Sequence, residues 1–222
     1  MKKFVSVALA LAVVLVVAVK LDVLPERIAA TLGDAKAQCK LGRMYLDGQG
    51  APQDYTKAVQ WFRKAAEQGY PPAQRLYGGM FFFGRGVPKD DANGFEWIRK
   101  AGESQDAAAQ CVLGIMYANG LRGVQKDDFE AVKWLKKAAD QEDVIAQGVL
   151  GMMYMDGRGV VRDQRKGCAL LKASAERGEK HAINNFNTFC TAQSLDNAEL
   201  KKRLDEEIAR LAGSAKELGT VK

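Results

Sequence analysis

The chain has 222 residues, of which 47% are hydrophobic and 27% are charged, and its formal net charge is +6. This composition supplies enough apolar side chains for a folded core and excludes a largely disordered chain. The basic residues are interspersed with 27 acidic ones and form no block typical of nucleic-acid binding. We therefore predict one domain or a short repeat array with a solvated charged surface, and no nucleic-acid partner.

The first predicted element, residues 1–24, is apolar. Lys2 and Lys3 precede an uninterrupted run of apolar or small residues over 4–19, which is typical of a secretory signal sequence. As a helix the run would reach about 24 Å, somewhat less than the ~30 Å hydrocarbon core of a bilayer. A cleaved signal and a retained inner-membrane anchor are the two alternatives. Both predict export, and hence a periplasmic protein.

After a predicted linker at 25–32, the sequence repeats itself. Three sets of residues recur at spacings of 36 or 37: Ala37, Ala73, Ala109, Ala146 and Ala182; Asp54, Asp90, Asp127 and Asp163; Trp61, Trp97, Trp134 and Leu170. Such a period is typical of repeat architectures. We predict an array over 33–189, with repeats at 33–68, 69–104, 105–141 and 142–177 and a partial repeat at 178–189. The one extra residue falls at 121–123, in a predicted loop.

Each repeat is predicted to form two helices. Ala37, Leu41 and Tyr45 recur at i, i+4 and i+8, which places an apolar stripe on one face of the first helix. Gly42 lies beside this stripe and would let a partner helix approach closely. Its cost of about 1 kcal/mol in helix propensity must be offset by that packing.

The connection between the two helices is also predictable. Gly48 can adopt the left-handed conformation that ends the first helix. Asp54 and its copies precede the second helix, where a short carboxylate caps free backbone amides. Because these aspartates recur in register, we interpret them as caps rather than as catalytic carboxylates.

The last predicted element is a capping helix within residues 190–222. Its apolar residues lie on one face and charged residues occupy the other faces: Leu200, Leu204, Ile208 and Leu211. A helix that is polar outside and apolar inside is expected at the end of a repeat array.

These features together resemble a known family. The pattern A-x-x-x-L-G-x-x-Y-x-x-G-x-G-x-x-x-D-x-x-x-A-x-x-W-x-x-K-A-A is similar to the Sel-1-like repeat, a relative of the tetratricopeptide repeat. The fourth copy departs most, at Gly167, Leu170, Ala173 and Ser174. The resemblance implies an all-α fold, a right-handed α-solenoid of stacked helix-turn-helix repeats. It further implies a protein-binding adaptor without a catalytic centre. Exported members of the family include immunity proteins that neutralise phospholipase-like effectors, so this role is one alternative. The other alternative is an envelope scaffold held by an uncleaved N-terminal anchor.

The sequence offers little for catalysis or metal binding. His181 is the single histidine and no C-x-x-C motif or phosphate-binding loop is present, so we predict no enzyme activity, no cofactor and no metal site. Cys39 and Cys111 occupy the same position two repeats apart and are expected to be free thiols, because helix layers are too widely spaced for a bridge. Cys168 and Cys190 lie on neighbouring predicted helices and are candidates for a disulfide. Whether they pair stays open at the level of sequence.

The candidate partner-binding face lies on the first helices, away from the apolar stripe. It comprises Arg43, Leu46, Arg75, Phe82, Phe83, Ile115, Asn119, Met152 and Met155. In a tetratricopeptide-like solenoid the first helices line the concave side, and apolar anchors with a few charges are typical of protein interfaces. The alternative is that some of these side chains are buried against neighbouring repeats or the N-terminal segment. Our main hypothesis is an exported adaptor whose partner is another protein; the oligomeric state is not predicted.

Overall fold

The protein folds into helical hairpins. The structure, a computed structural model, describes residues 26–190. Within these residues, nine helices follow the short helical stretch 26–31: α1 (Ala35–Asp47), α2 (Tyr55–Glu67), α3 (Pro71–Phe83), α4 (Asp91–Glu103), α5 (Ala107–Asn119), α6 (Asp128–Asp140), α7 (Val144–Asp156), α8 (Gln164–Glu176) and α9 (Lys180–Phe189). No strand is present in this described range. The predicted all-α architecture of paired helices is confirmed.

The chain divides into two compact units. Unit 1 extends to Ala146 and unit 2 begins at Gln147, so that α7 crosses the boundary. In unit 1 each first helix packs against its own second helix, and α2 and α4 also pack on the next first helices, α3 and α5. This serial packing is that of an α-solenoid.

The N-terminal elements differ in part from the prediction. Residues 26–31, placed in a linker, are helical, and Ala30 is buried against Ala37 and Leu41 of α1. The stretch therefore takes the place that a second helix would have before the first repeat. The predicted signal or anchor and the predicted capping helix lie outside the described residues, apart from Cys190. Within residues 26–190, no helix is long and apolar enough to span a membrane.

The predicted caps are confirmed. The carboxylates of Asp54, Asp90, Asp127 and Asp163 each accept a hydrogen bond from a backbone amide in the first turn of the following helix. Gly48 ends α1 in the left-handed conformation, with φ of 71°. These local interactions define the hairpin ends independently of the core.

Close packing inside each hairpin depends on a helical glycine. A methyl group placed on Gly42 would lie 2.6 Å from the ring of Phe62, which is fully buried. Gly114 faces Leu135 in the same way, at 2.5 Å. The predicted close approach at this repeat position is confirmed, because any side chain would displace a core residue of the second helix.

Hydrogen bonds between glutamine side chains are a second recurring feature of the repeats, which we did not predict. The side-chain amides of Gln38 and Gln110 donate to backbone carbonyls, and their Oε1 atoms accept from Gln68 and Gln141 at 2.7 and 2.8 Å. The repeat between them differs. Gln74 donates to a carbonyl, but its Oε1 atom has no hydrogen-bond partner in the described chain.

Unit 2 contains the remaining cysteine pair. Cys168 of α8 and Cys190, which follows α9, form a disulfide with a Cα–Cα distance of 5.6 Å. Cys190 is fully buried in a cluster with Met155 and Leu171. The bridge therefore joins α9 covalently to the preceding helix. Cys39 and Cys111 are free and buried.

Candidate functional site

The predicted partner-binding residues fall into three groups by exposure. Arg43 and Asn119 are exposed, and 64% of the Phe83 surface is accessible. Four others are partly buried: Leu46, Arg75, Ile115 and Met152. Phe82 and Met155 are buried, with 7% exposure each. The face is therefore a mixture of open and core positions.

Phe82 and Met155 correct the prediction that both side chains point outward. The ring of Phe82 packs with Ile98 and Leu113 in the core of unit 1, and Met155 packs with Leu171 in unit 2. The physical reason lies on the second helix of each hairpin. Gly94 faces Phe82 and Gly167 faces Met155, and the absence of a side chain there leaves room for the larger residue. The glycines at these positions, which replace the alanine of the other repeats, were the sequence signal for this burial.

An open apolar groove lies between α3 and α5 in unit 1. Its volume is about 390 Å³, within the roughly 300–1,000 Å³ of typical ligand pockets. The lining side chains come from three first helices, from α4 and from two loops: Leu46, Arg75, Leu76, Gly79, Met80, Phe82, Phe83, Arg85, Ile98, Val112, Ile115, Met116, Leu121 and Arg122. The groove thus collects five of the predicted residues: Leu46, Arg75, Phe82, Phe83 and Ile115.

Gly79 opens this groove. It is helical, and a methyl group placed on it would meet no atom within 4 Å. The same repeat position holds Arg43 in the first repeat, Ile115 in the third and Met152 in the fourth. Gly79 therefore leaves space that a side chain occupies in every other repeat, and unlike Gly42 it is not required for helix packing.

Two arginines flank the exposed ring of Phe83. The guanidinium of Arg85 lies 5.3 Å from the ring centroid, and that of Arg122 lies at the same distance. Arg122 also donates to the carbonyl oxygen of Phe82 at 3.0 Å and contacts Asp91 at 3.3 Å. Cation–π contacts and a backbone hydrogen bond together hold this rim in place.

The single-residue insertion at 121–123 builds one end of the groove. Arg122 adopts a left-handed conformation with φ of 56°, and Leu121 beside it is 44% exposed. Both residues line the groove. We expected this insertion only to be tolerated in a loop. The one-residue increase in repeat spacing at this point indicates that this loop differs from the others. Only the folded structure shows which residues the loop contacts.

A second groove, of about 750 Å³, lies between α1 and α3. It shares Leu46, Arg75 and Leu76 with the first groove, so the two grooves adjoin each other. Its other lining residues include the basic side chains Lys36, Lys40 and Arg43, together with Asp47. Of the remaining predicted residues, Asn119 donates to a carbonyl within α5 and lines neither groove, and Met152 belongs to unit 2.

The described residues show no arrangement for metal binding or nucleophilic chemistry. No cluster of three His, Cys, Asp or Glu suited to a metal ion occurs among them. Burial raises the pKa of the Cys39 thiol, and burial with the nearby Asp143 carboxylate raises that of Cys111. Both thiols are therefore protonated and unreactive near neutral pH. His181 is an exposed residue in the first turn of α9.

Comparison with known proteins agrees with this architecture. The Sel1 repeat model matches residues 35–70, 71–106, 107–143 and 144–179. No curated protein is significantly similar to the chain.

Two solved structures are similar in fold and sequence. A Sel1 repeat protein from Oxalobacter formigenes has a TM-score of 0.70 and 36% identity over 75% of this chain and 48% of its own. A protective antigen of uropathogenic Escherichia coli with an SLR fold has a TM-score of 0.68 and 39% identity over 73% of this chain and 35% of its own. This chain thus spans less than half of either relative. Four consecutive repeat matches, supported by these structures, show that the protein belongs to the Sel1 repeat family.

Proposed function

We propose that this protein is a non-enzymatic adaptor that binds a partner protein in the α3/α5 groove. Sel1 repeat proteins generally mediate protein–protein interaction. The observation that carries the proposal is the open apolar groove over Gly79, with the exposed ring of Phe83 at its edge. An exposed apolar surface of this kind is costly in water unless a partner covers it. The groove is lined mainly by apolar side chains and arginines.

A photocrosslinking experiment tests the groove directly. The full-length protein would carry p-benzoylphenylalanine in place of Phe83 or, as the matched control, in place of Phe129, which is also exposed (77%) but lines neither groove. Illumination with envelope extract should give a discrete adduct from position 83 and none from position 129. Equal labelling at both positions, or none at 83, would contradict the proposal.

A blocking variant provides the second arm. Gly79→Ile introduces the side chain that residue 115 already has at this repeat position, while Gly79→Ala adds only a methyl group into open space. The isoleucine should abolish the adduct at position 83 and the alanine should preserve it. Phe82→Asp and Met155→Asp are unsuitable as tests of partner binding, because both side chains are buried and their loss would damage the core.

We further propose that the protein is exported. The apolar N-terminal run is typical of a signal or anchor, and the Cys168–Cys190 disulfide favours an oxidising compartment. Fractionation of cells that produce the full chain, followed by sequencing of the mature N-terminus, tests both points. A cleaved periplasmic product supports a signal sequence, and an intact membrane-bound product supports an anchor. A reduced cytoplasmic protein would refute export.

A further inference from the structure

The charges around the groove indicate what kind of partner it fits. We propose that it binds a polypeptide segment in which a bulky apolar side chain lies beside carboxylates. This inference rests on the proposed function and adds the chemistry of the bound segment. The apolar side chain enters the space over Gly79, and a carboxylate pairs with Arg85 at the rim.

The groove has room for a bulky apolar side chain. Phe83, Ile115 and Leu121 border the space that Gly79 leaves open. Phe83 and Leu121 are both substantially exposed, at 64% and 44%. An inserted aliphatic or aromatic side chain would cover all three, and the removal of this apolar surface from water favours binding.

The charged side chains that line the groove are all positive. Among the described residues that line the α3/α5 groove there are three arginines and no carboxylate. Arg75 and Arg122 already pair with Asp106 and Asp91. The guanidinium of Arg85 lies over the rings of Tyr55 and Phe83 and forms no ion pair in the described part of the chain. Its positive charge is therefore uncompensated at the groove edge.

The adjoining α1/α3 groove is also mainly basic. Lys36, Lys40 and Arg43 line it together with one carboxylate, that of Asp47. Lys36 and Arg43 form no ion pair within the described chain. An acidic segment that extends from the Gly79 site along α3 would meet further positive charge. A basic segment would face like charges on this side, at a cost that disfavours the wrong partner.

The Arg85 side chain is already positioned in the free protein. Its guanidinium lies 5.3 Å from the centroid of the Phe83 ring and 5.5 Å from that of Tyr55. A guanidinium stacked on rings keeps its N–H edge available for a carboxylate, whereas that of Arg122 is already engaged by the Phe82 carbonyl and Asp91. Because less side-chain freedom is lost on binding, Arg85 suits acidic recognition better than an extended solvated lysine would.

Peptide selection tests the proposal before the natural partner is identified. Random peptides about 12 residues long, displayed on phage, would be selected on the full-length protein and counter-selected on its Gly79→Ile variant. We expect the enriched sequences to combine a Leu, Ile, Met or Phe residue with Asp or Glu within about four positions. A fluorescein-labelled copy of the most enriched sequence then serves as the probe for anisotropy measurements.

The affinities of this probe for three protein variants separate the contribution of the apolar space from that of the positive charge. Binding should weaken at least about tenfold in Gly79→Ile and about tenfold in Arg85→Glu. It should be unchanged in Arg63→Glu, a charge reversal on α2 at a residue that lines neither groove. Replacing the acidic residues of the probe with their amides should weaken binding to a similar extent and reduce its salt dependence between about 50 and 300 mM NaCl.

Each contrary outcome has a distinct meaning. Groove-dependent peptides without acidic residues, or binding insensitive to Arg85→Glu, would overturn the acidic specificity while leaving the proposed adaptor function intact. Failure to obtain any peptide sensitive to Gly79→Ile would overturn both. Sedimentation with phosphatidylglycerol vesicles that is lost in Gly79→Ile, in the absence of such peptides, would assign the groove to lipid and refute a polypeptide ligand.

Discussion

The ring of Phe82 packs onto the backbone of Gly94, and a methyl group placed on Gly94 would lie 2.5 Å from two of its ring carbons. Met155 and Gly167 have the same relationship at 2.8 Å. The corresponding pairs of repeats 1 and 3 have alanine on the second helix: Leu46 with Ala58, and Ala118 with Ala131. In repeats 2 and 4, glycine replaces this alanine on the second helix, and the space is filled by a large side chain of the first helix, Phe82 or Met155.

We expect Gly94→Ala to destabilise the protein. Overpacking of a core costs about 1–3 kcal/mol, whereas replacing a helical glycine with alanine contributes about 1 kcal/mol. Since the added carbon meets both an aromatic ring and the carbonyl of Gly78, the clash should outweigh the propensity gain, with a net loss of about 1 kcal/mol. Urea unfolding measures the change.

Gly79→Ala is the matched control for this substitution. It makes the same change of residue type on a helix, but into open space, and should stabilise the protein by about 1 kcal/mol. The double variant Phe82→Leu with Gly94→Ala should recover part of the loss from Gly94→Ala alone. Equal effects at residues 79 and 94 would show that the Phe82 contact does not determine the outcome.

Ser104→Gln should stabilise the second repeat. Ser104 occupies the position of Gln68 and Gln141, and its backbone angles as the C-cap of α4 (φ −85°, ψ 21°) are close to theirs. A glutamine there can donate to the unpartnered Oε1 atom of Gln74. A satisfied buried hydrogen bond contributes about 0.5–1.5 kcal/mol, which a shift in the urea midpoint at constant slope would reveal.

Ser104→Glu distinguishes this hydrogen bond from a general effect of side-chain length. The glutamate side chain has nearly the same shape but, when ionised, can only accept hydrogen bonds. It should therefore give no stabilisation. A gain equal to that of the glutamine would exclude the proposed pairing with Gln74.

The cysteines should react in two distinct classes. Neither Cys39 nor Cys111 should react with iodoacetamide in the native protein at neutral pH, because both are buried and protonated. In denaturant, two of the four cysteines should react without reductant and all four after reduction. Mass spectrometry of the alkylated protein counts them. Four reactive thiols in the unreduced denatured protein would contradict the disulfide.

Loss of this disulfide should act locally on α9. The bridge closes a sequence separation of 22 residues, and the chain-entropy model assigns about 3 kcal/mol to a loop of that length. Hydrogen exchange of a Cys168→Ser, Cys190→Ser variant should therefore accelerate in α8 and α9 and stay unchanged in α1 to α5. Uniform acceleration throughout would show that the bridge stabilises more than its own unit.

Acidification should weaken the helix caps. The amide of Lys57 lowers the pKa of Asp54, and that of Asn93 lowers the pKa of Asp90. For a carboxyl group whose folded pKa is below its unfolded value of about 3.9, the stabilisation is present above that value and is lost as the pH falls through the folded pKa. The urea concentration at the unfolding midpoint should therefore decrease as the pH is lowered below about 4. Asp90→Asn keeps a cap oxygen without titrating and should show a smaller decline; an unchanged pH profile would contradict the role of Asp90.

Local sequence determined much of the architecture. The 36- or 37-residue spacing defined the hairpins, and Asp54, Gly48 and Gly42 acted as predicted because caps, chain reversals and close helix approach each depend on a few neighbouring residues. The family followed from the same recurring positions. These properties repeat along the chain, so each copy supports the interpretation of the others.

Only the tertiary structure decided which residues of the candidate partner-binding face are accessible to solvent. Helical periodicity placed Phe82 and Phe83 together, yet one is buried and the other open, because Gly94 of the next helix provides space for Phe82. Likewise, nothing local indicates that Arg122 reaches Phe83 in the preceding repeat. A repeat pattern specifies what each position does on average. The groove arises where side-chain volumes depart from that average, and their consequences depend on neighbours that are distant in sequence.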